Sequence, residues 1–134
     1  MNLIFLSNYY NHHQEPLCRA LAAQPGVRFR FLAYGEISPE RRKMWGEMRE
    51  PPDFVRVPRT QEERACAARE ILQADAILVG SAPQSLLDDR LRAGRLILRY
   101  QERPLKNGTE PMKFLPRMLK WRRWNPPGKP VYLL

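Results

Sequence analysis

Short apolar runs and longer amphipathic stretches alternate along the whole chain. LIFLS (Leu3–Ser7) is unbroken and too short for a helix, so it reads as a strand buried on both faces. Glu15 and Pro16 open a helix, and QPGV closes it with Gly26 just past the end. VRFRFLA (Val27–Ala33) alternates and then turns fully apolar, which predicts a second strand. SPERRKMWGEM starts a short helix, with Ser38 as N-cap and Pro39 at the first helical position. DFVRVP (Asp53–Pro58) is a brief edge strand bounded by prolines. TQEERACAAREILQA begins with a capping box, Thr60 and Glu63, and Ala65, Ala68 and Leu72 fall on one helical face.

ADAILVGS (Ala74–Ser81) carries the strongest strand pattern in the chain. Ser85 and Asp88 have the spacing of a second capping box, on a helix that Gly94 closes. RLILRY (Arg95–Tyr100) is a further strand, and QERPLKNGTEP is a polar loop. MKFLPRMLKWRRW reads as a helix interrupted by Pro116. The final VYLL has the composition of a buried strand. A chain that stops inside such a run is expected to be the front part of a longer polypeptide.

Strand–helix alternation from end to end predicts an α/β fold. The expectation is a single doubly wound parallel sheet over residues 1–134, with helices on both faces. In open sheets of this kind, ligands bind at the carboxyl ends of the strands. Four such ends are polar here: Ser7–Asn8, Tyr34–Gly35, Gly80–Ser81 and Gln101–Arg103.

Charge divides the chain in two. Residues 1–89 hold 11 Lys/Arg and 12 Asp/Glu, a net of −1; residues 90–134 hold 12 Lys/Arg and 2 Asp/Glu, a net of +10. The last third therefore reads as a basic surface for an anionic partner, whether phosphate, nucleic acid or lipid headgroup. The 13 prolines of the whole chain are scattered, which indicates fixed turns and not a low-complexity tract. Cys18 and Cys66 have no metal-ligand spacing and are expected to be buried thiols in a reducing compartment. MNLIFLS lacks the basic flank and length of a signal peptide, and no run approaches the roughly 20 apolar residues of a membrane span. The expected location is the cytoplasm, free or peripheral on the inner face of the cell membrane.

Several chemistries lack their motif. No G-x-G-x-x-G follows the first strand, where the turn is SNYYNHHQ, so a dinucleotide-dependent oxidoreductase is disfavoured. Walker A, nucleophile-elbow, zinc and calcium patterns are also missing, so no metal is expected. The candidates that remain are three. His12 and His13, the only histidines, follow the first strand, and imidazole suits proton transfer near neutrality. One of the pair is the candidate general base, with Asn8, Asn11 and Ser81 as hydrogen-bonding neighbours. Solvated or packed imidazoles are the plainer alternative. Glu102 and Arg103 end the fifth strand, and the guanidinium can hold an anionic or hydroxylated ligand bidentately unless the two side chains simply pair. The third candidate is the helix near the end. Phe114, Met118 and Trp121 form a stripe, widened by Leu115, Leu119 and Trp124 and ringed by Lys113, Arg117, Lys120, Arg122 and Arg123. It is either an interfacial helix on an anionic membrane or an ordinary core helix with solvated charges.

FLSNYYNHHQEPLCRAL, ADAILVGSAP and LRYQERPLKNG together resemble the amino-terminal domain of bacterial GT-B glycosyltransferases of the family-4 type (group 1). The likeness extends over essentially the whole chain. It implies a Rossmann-like acceptor-binding domain, followed in the full-length enzyme by a second domain that binds a nucleotide-sugar donor. It also implies transfer of a sugar to a hydroxyl of a glycan or lipid-linked acceptor in polysaccharide biosynthesis. The 134 residues alone would be inactive and would hold no cofactor. By position, His12 or His13 and Glu102–Arg103 match acceptor-side cleft residues. The family often has a glycine-rich loop after its first strand, and NYYNHHQ departs from it. Two rivals come from other classes: a basic nucleic-acid-binding module, and a flavodoxin-like docking domain without catalysis.

Overall fold

Every apolar run becomes a strand of one sheet. The computed structural model describes residues 1–35, 37–40, 50–100 and 111–134. The strands are β1 (Asn2–Ser7), β2 (Arg28–Ala33), β3 (Val55–Arg56), β4 (Ala76–Val79), β5 (Ile97–Arg99) and β6 (Val131–Leu133). Their order is β3-β2-β1-β4-β5-β6, and each neighbouring pair is parallel. The helices are α1 (Glu15–Ala22), α2 (Gln61–Gln73), α3 (Asp88–Arg92) and α4 (Pro111–Trp124), with a 3₁₀ turn at Gln84–Leu86. This is the single Rossmann-like α/β domain that the alternation predicts. The helix predicted from Ser38 lies beyond Glu40 outside the described residues.

The two-residue period of a strand explains how β1 serves both faces. Leu3 and Phe5 point to one side, into a cluster with Cys18 of α1, Phe29, Phe31 and Leu78. Ile4 and Leu6 point to the other, into a cluster with Leu32, Ala67 and Ile71 of α2, Ile77, Leu91 of α3 and Ile97. A strand buried on both faces must be apolar at consecutive positions, which is why LIFL shows no alternation.

The α2 amino terminus forms as predicted. The Thr60 hydroxyl accepts from the Glu63 N–H at 3.1 Å, and the Glu63 carboxylate accepts from the Thr60 N–H at 3.0 Å. Four details differ from expectation. The buried face of α2 is Ala67, Ile71 and Ala74, while Ala65 and Ala68 are exposed. Alanine fits either environment, so only Ile71 sets the phase. Ser85 and Asp88 form no capping box: Leu87 is pulled into the core, its N–H bonds the Gln84 carbonyl at 2.8 Å, and α3 starts only after that turn. Pro116 does not interrupt α4, which runs through it. Finally, VYLL is an edge strand with Tyr132, Leu133 and Leu134 exposed, because β6 has a neighbour only in β5.

The tightest polar assembly is internal. Arg90 of α3 has no exposed surface. Its guanidinium donates six hydrogen bonds to the carbonyls of Ile71, Leu72, Ala74, Asp75 and Leu96, the shortest at 2.7 Å. Helix ends leave carbonyls without partners, and a buried carbonyl needs one. One guanidinium, with five N–H donors, therefore terminates α2 and supports the entries to β4 and β5. Burial lowers its pKa to about 10, with Arg95 adding to the effect, so it is charged at neutral pH. Arg99 is buried too, donating to the Gln84 side chain at 2.9 Å and to the Trp124 carbonyl at 2.7 Å. Two of the twelve cations read as basic surface are thus part of the interior.

Arg90→Met removes every donor of this clamp while keeping bulk. A loss of about 3–5 kcal/mol is expected, the cost typical of stripping one side from a buried polar assembly. Arg90→Lys cannot reach five carbonyls and should recover less than half. Urea midpoints at constant slope measure both; a Met variant within about 1 kcal/mol of wild type would show that the carbonyls find other partners.

Alkaline stability follows from the α1-side cluster. Burial, reinforced by the Glu15 charge, pushes the Tyr10 phenol and the Cys18 thiol up to about 12, against ordinary values of 10.0 and 9.0. The unfolded chain releases these protons first, so stability is intact below about pH 9 and falls as pH rises toward 12. Tyr10→Phe and Cys18→Ala should each flatten that decline in pH-dependent thermal melts. Parallel curves for wild type and both variants would contradict it.

Candidate functional site

The order of the strands creates one special position. From β1 the chain winds outward through β2 and β3, then returns to β4 on the other side of β1 and winds outward again through β5 and β6. The crossovers therefore diverge between β1 and β4, and a crevice opens at the carboxyl ends of those strands. Ser7–Asn8 and Gly80–Ser81 border it.

Two glycines allow the three central strand ends to close up. A Cβ on Gly80 would meet the Ser7 hydroxyl oxygen at 2.9 Å, and one on Gly35 would meet the Asn8 carbonyl oxygen at the same distance. The Gly35 N–H donates to that carbonyl at 2.5 Å, and the Gly80 N–H donates to the Leu6 carbonyl at 2.9 Å. Ser7 is 1% exposed, so its hydroxyl is part of the wall and not available to a ligand. It donates to Asn8 Oδ1 at 3.3 Å and accepts from Gln14 Nε2 at 3.4 Å. Asn8 Oδ1 also accepts from the Tyr9 N–H.

The turn after β1 divides its labour. Tyr10 is core, edge-on to Phe31 at 5.1 Å and to Phe54 at 6.1 Å. Asn11 holds the backbone: its side-chain oxygen accepts from the N–H groups of His13 and Gln14, at 2.9 and 3.2 Å. Such a side-chain turn starts α1 without glycine. His12 and His13 remain exposed, with ring centroids 3.9 Å apart and planes tilted by 44°. The two imidazoles therefore lie against each other, whereas the sequence suggests that one faces the crevice alone. Ser81 is exposed at the end of β4. Glu102 and Arg103 lie outside the described residues.

Two buried oxygens near the carboxyl edge carry no sequence motif. Gln14 and Tyr34 each bury an oxygen, Oε1 and the hydroxyl, that has no hydrogen-bond partner among the described residues. Both belong to segments at the carboxyl edge, one after β1 and one after β2, but Tyr34 packs on the α2 side of the sheet, with Arg64 and Glu70 as its charged neighbours. Burial raises the Tyr34 phenol above its ordinary value, so it is a neutral donor at physiological pH. Gly35 and Gly80 are legible only as residues at polar strand ends, Gly80 directly after β4 and Gly35 separated from β2 by Tyr34. Cys66, expected to be buried, is exposed, and its thiol lies 3.9 Å from Glu70 Oε1. Glu70 is at the same time ion-paired with Arg30. Two hollows, of about 200 and 310 Å³, flank α2 and share Glu70. The first is lined by Asn2 and Arg28 at the amino ends of strands, and neither hollow includes a residue of the β1–β4 crevice.

The helix read as an anion surface is α4. Its tryptophans are half-buried. The Trp124 ring has the Arg99 guanidinium 5.7 Å and the Lys120 ammonium 4.5 Å from its centroid. Arg117 is half-buried, while Lys120, Arg122 and Arg123 are exposed. The Lys113 side chain lies outside the described residues. Among the described residues, no group of three metal-ligating side chains occurs, and no helix is long and apolar enough to cross a membrane. No protein-family model, curated protein or solved structure matches the chain.

The close approach at Gly80 makes a sharp prediction. Gly80→Ala should cost about 1–3 kcal/mol, because the new methyl displaces the Ser7 hydroxyl. Ser7→Ala removes the oxygen that obstructs it, so the double variant Ser7→Ala/Gly80→Ala should regain most of the loss. Additive losses in a double-mutant cycle would show that Gly80 is needed for its backbone and not for its proximity to Ser7.

Proposed function

We propose that the chain is the acceptor-binding domain of a GT-B glycosyltransferase, moving a sugar from a nucleotide-sugar donor to a hydroxyl of a glycan or lipid-linked acceptor. The observation that carries this reading is the β1–β4 crevice, bordered by a glycine-free polar turn that presents two imidazoles. A diphosphate needs close backbone approach and free N–H groups at that turn. Here Asn8 and Asn11 take the N–H groups of Tyr9, His13 and Gln14. The turn thus favours a neutral polyhydroxylated ligand over a phosphate. The hydroxyls of such a ligand can donate to Gln14 Oε1, which has no hydrogen-bond partner among the described residues.

On this reading one imidazole of His12–His13 accepts the proton of the acceptor hydroxyl as its oxygen attacks the anomeric carbon and the nucleotide diphosphate departs. Ser81 and Asn8 orient the acceptor. The donor is held by a second domain, and the work belongs to polysaccharide assembly at the cytoplasmic face of the membrane.

Calorimetric titration of the purified chain tests the reading. Oligosaccharide acceptors should bind, and nucleotide sugars should not. His12→Ala or His13→Ala should weaken the glycan about tenfold or more, a loss of roughly 1.4 kcal/mol. The chain alone should transfer no sugar. Tighter binding of a nucleotide sugar than of any glycan, or glycan binding that neither histidine affects, would overturn it.

A further inference from the structure

Helix α4 has two dissimilar faces. Met118, Trp121 and Trp124 turn inward and are half-buried. The carboxyl end is pinned there: the Trp124 carbonyl accepts from buried Arg99, and the Trp121 carbonyl accepts from Asn125 Nδ2 at 2.9 Å. The outward face is different. Leu115 is 63% exposed and Leu119 is 60% exposed, one turn apart on the same stripe. Arg122 continues that stripe, three residues beyond Leu119, and exposed Arg123 and Lys120 flank it. Residues 111–134 hold six Lys/Arg and no Asp/Glu.

We propose that this outward face docks on an anionic lipid bilayer, with Leu115 and Leu119 entering the headgroup boundary and Arg122 and Arg123 on lipid phosphates. The choice of partner follows from the mixture. Exposed leucines inside a ring of cations, with no anion among them, complement a surface that is charged outside and apolar a few ångströms below. Nucleic acid offers the charge but rewards aromatic stacking, and both tryptophans are half-buried, Trp124 with Arg99 and Lys120 against its ring. A helix of 14 residues spans about 21 Å and is heavily charged, so it lies in the plane of the interface and does not cross it. The sequence points to Trp121 and Trp124 as the membrane residues; the structure gives their place to the two leucines. The docking stands on α4 alone and holds whatever ligand the crevice takes.

Co-sedimentation with vesicles tests it. The purified chain should pellet with phosphatidylglycerol-containing vesicles and stay in solution with pure phosphatidylcholine. It should be released at ~1 M salt, where the screening length falls to about 3 Å. Leu115→Ser/Leu119→Ser and Arg122→Gln/Arg123→Gln should each reduce binding by about tenfold or more. Far-UV circular dichroism should be unchanged in both, since all four side chains are exposed. Tryptophan emission should hardly move on binding. Equal binding to neutral vesicles, or none to either, overturns the proposal. So does unchanged binding of the leucine variant, which would leave attraction of charge alone. Tighter binding to RNA than to vesicles assigns the face to nucleic acid. A dimer that the leucine variant dissociates assigns it to a second copy.

Discussion

One buried guanidinium holds the second half of this fold in place. Helix α2 ends beneath the sheet, β4 begins two residues beyond the α2 cap, and the segment into β5 passes alongside. All three junctions expose carbonyls to an apolar interior, where each unmet acceptor costs on the order of 1–3 kcal/mol. Arg90 meets five of them from a helix of only five residues. Asp75 adds a tie to the first strand, because its carboxylate accepts from the Asn2 N–H at 2.7 Å. β4 is thereby registered on β1 at its start, and the pairing Leu3–Ala76 through Leu6–Val79 follows. A buried charge is expensive, and this one is retained where no set of neutral side chains could supply five donors from one point.

The crevice inherits its shape from that registration. With β4 fixed on β1, Gly80 arrives so close to Ser7 that a Cβ would crowd its hydroxyl, and Gly35 does the same beside the Asn8 carbonyl on the other flank. The three strand ends close into a wall. Polar groups are left above it: Asn8, Gln14, Ser81 and the two imidazoles. Structure and candidate chemistry are interleaved within a single turn. Tyr10 anchors it to the core, Asn11 shapes its backbone, and His12 and His13 are exposed.

Much of the fold was legible in the residues. Doubly buried strands announce themselves as unbroken apolar runs, and Thr60 with Glu63 marks a helix start by a hydrogen-bond mechanism that tertiary context does not alter. Alternation of the elements gave the parallel sheet. What was not legible depends on distance in space. Alanine carries no phase, so the inner face of α2 was misread. Ser85 and Asp88 have capping spacing, yet burial of Leu87 decided the local geometry. Arg90 looked like one more surface cation, because nothing in DDRLR says that five carbonyls converge on it. Tryptophan beside arginine suggests an interface, but Arg99 draws Trp124 toward the sheet. Of the candidate site, the strand ends and the histidine turn were visible; the buried Gln14 oxygen, without a hydrogen-bond partner among the described residues, depends on how the turn folds over Ser7.

The central claim is that the carboxyl edge between β1 and β4 is where this protein meets its ligand. Amide chemical shifts of the ¹⁵N-labelled chain, followed through titration with oligosaccharides, locate the contact directly. The account predicts that perturbations concentrate on Asn8–Gln14, Tyr34–Gly35 and Gly80–Ser81. Perturbations confined to the hollows beside α2, around Arg56, Cys66 and Glu70, would contradict it.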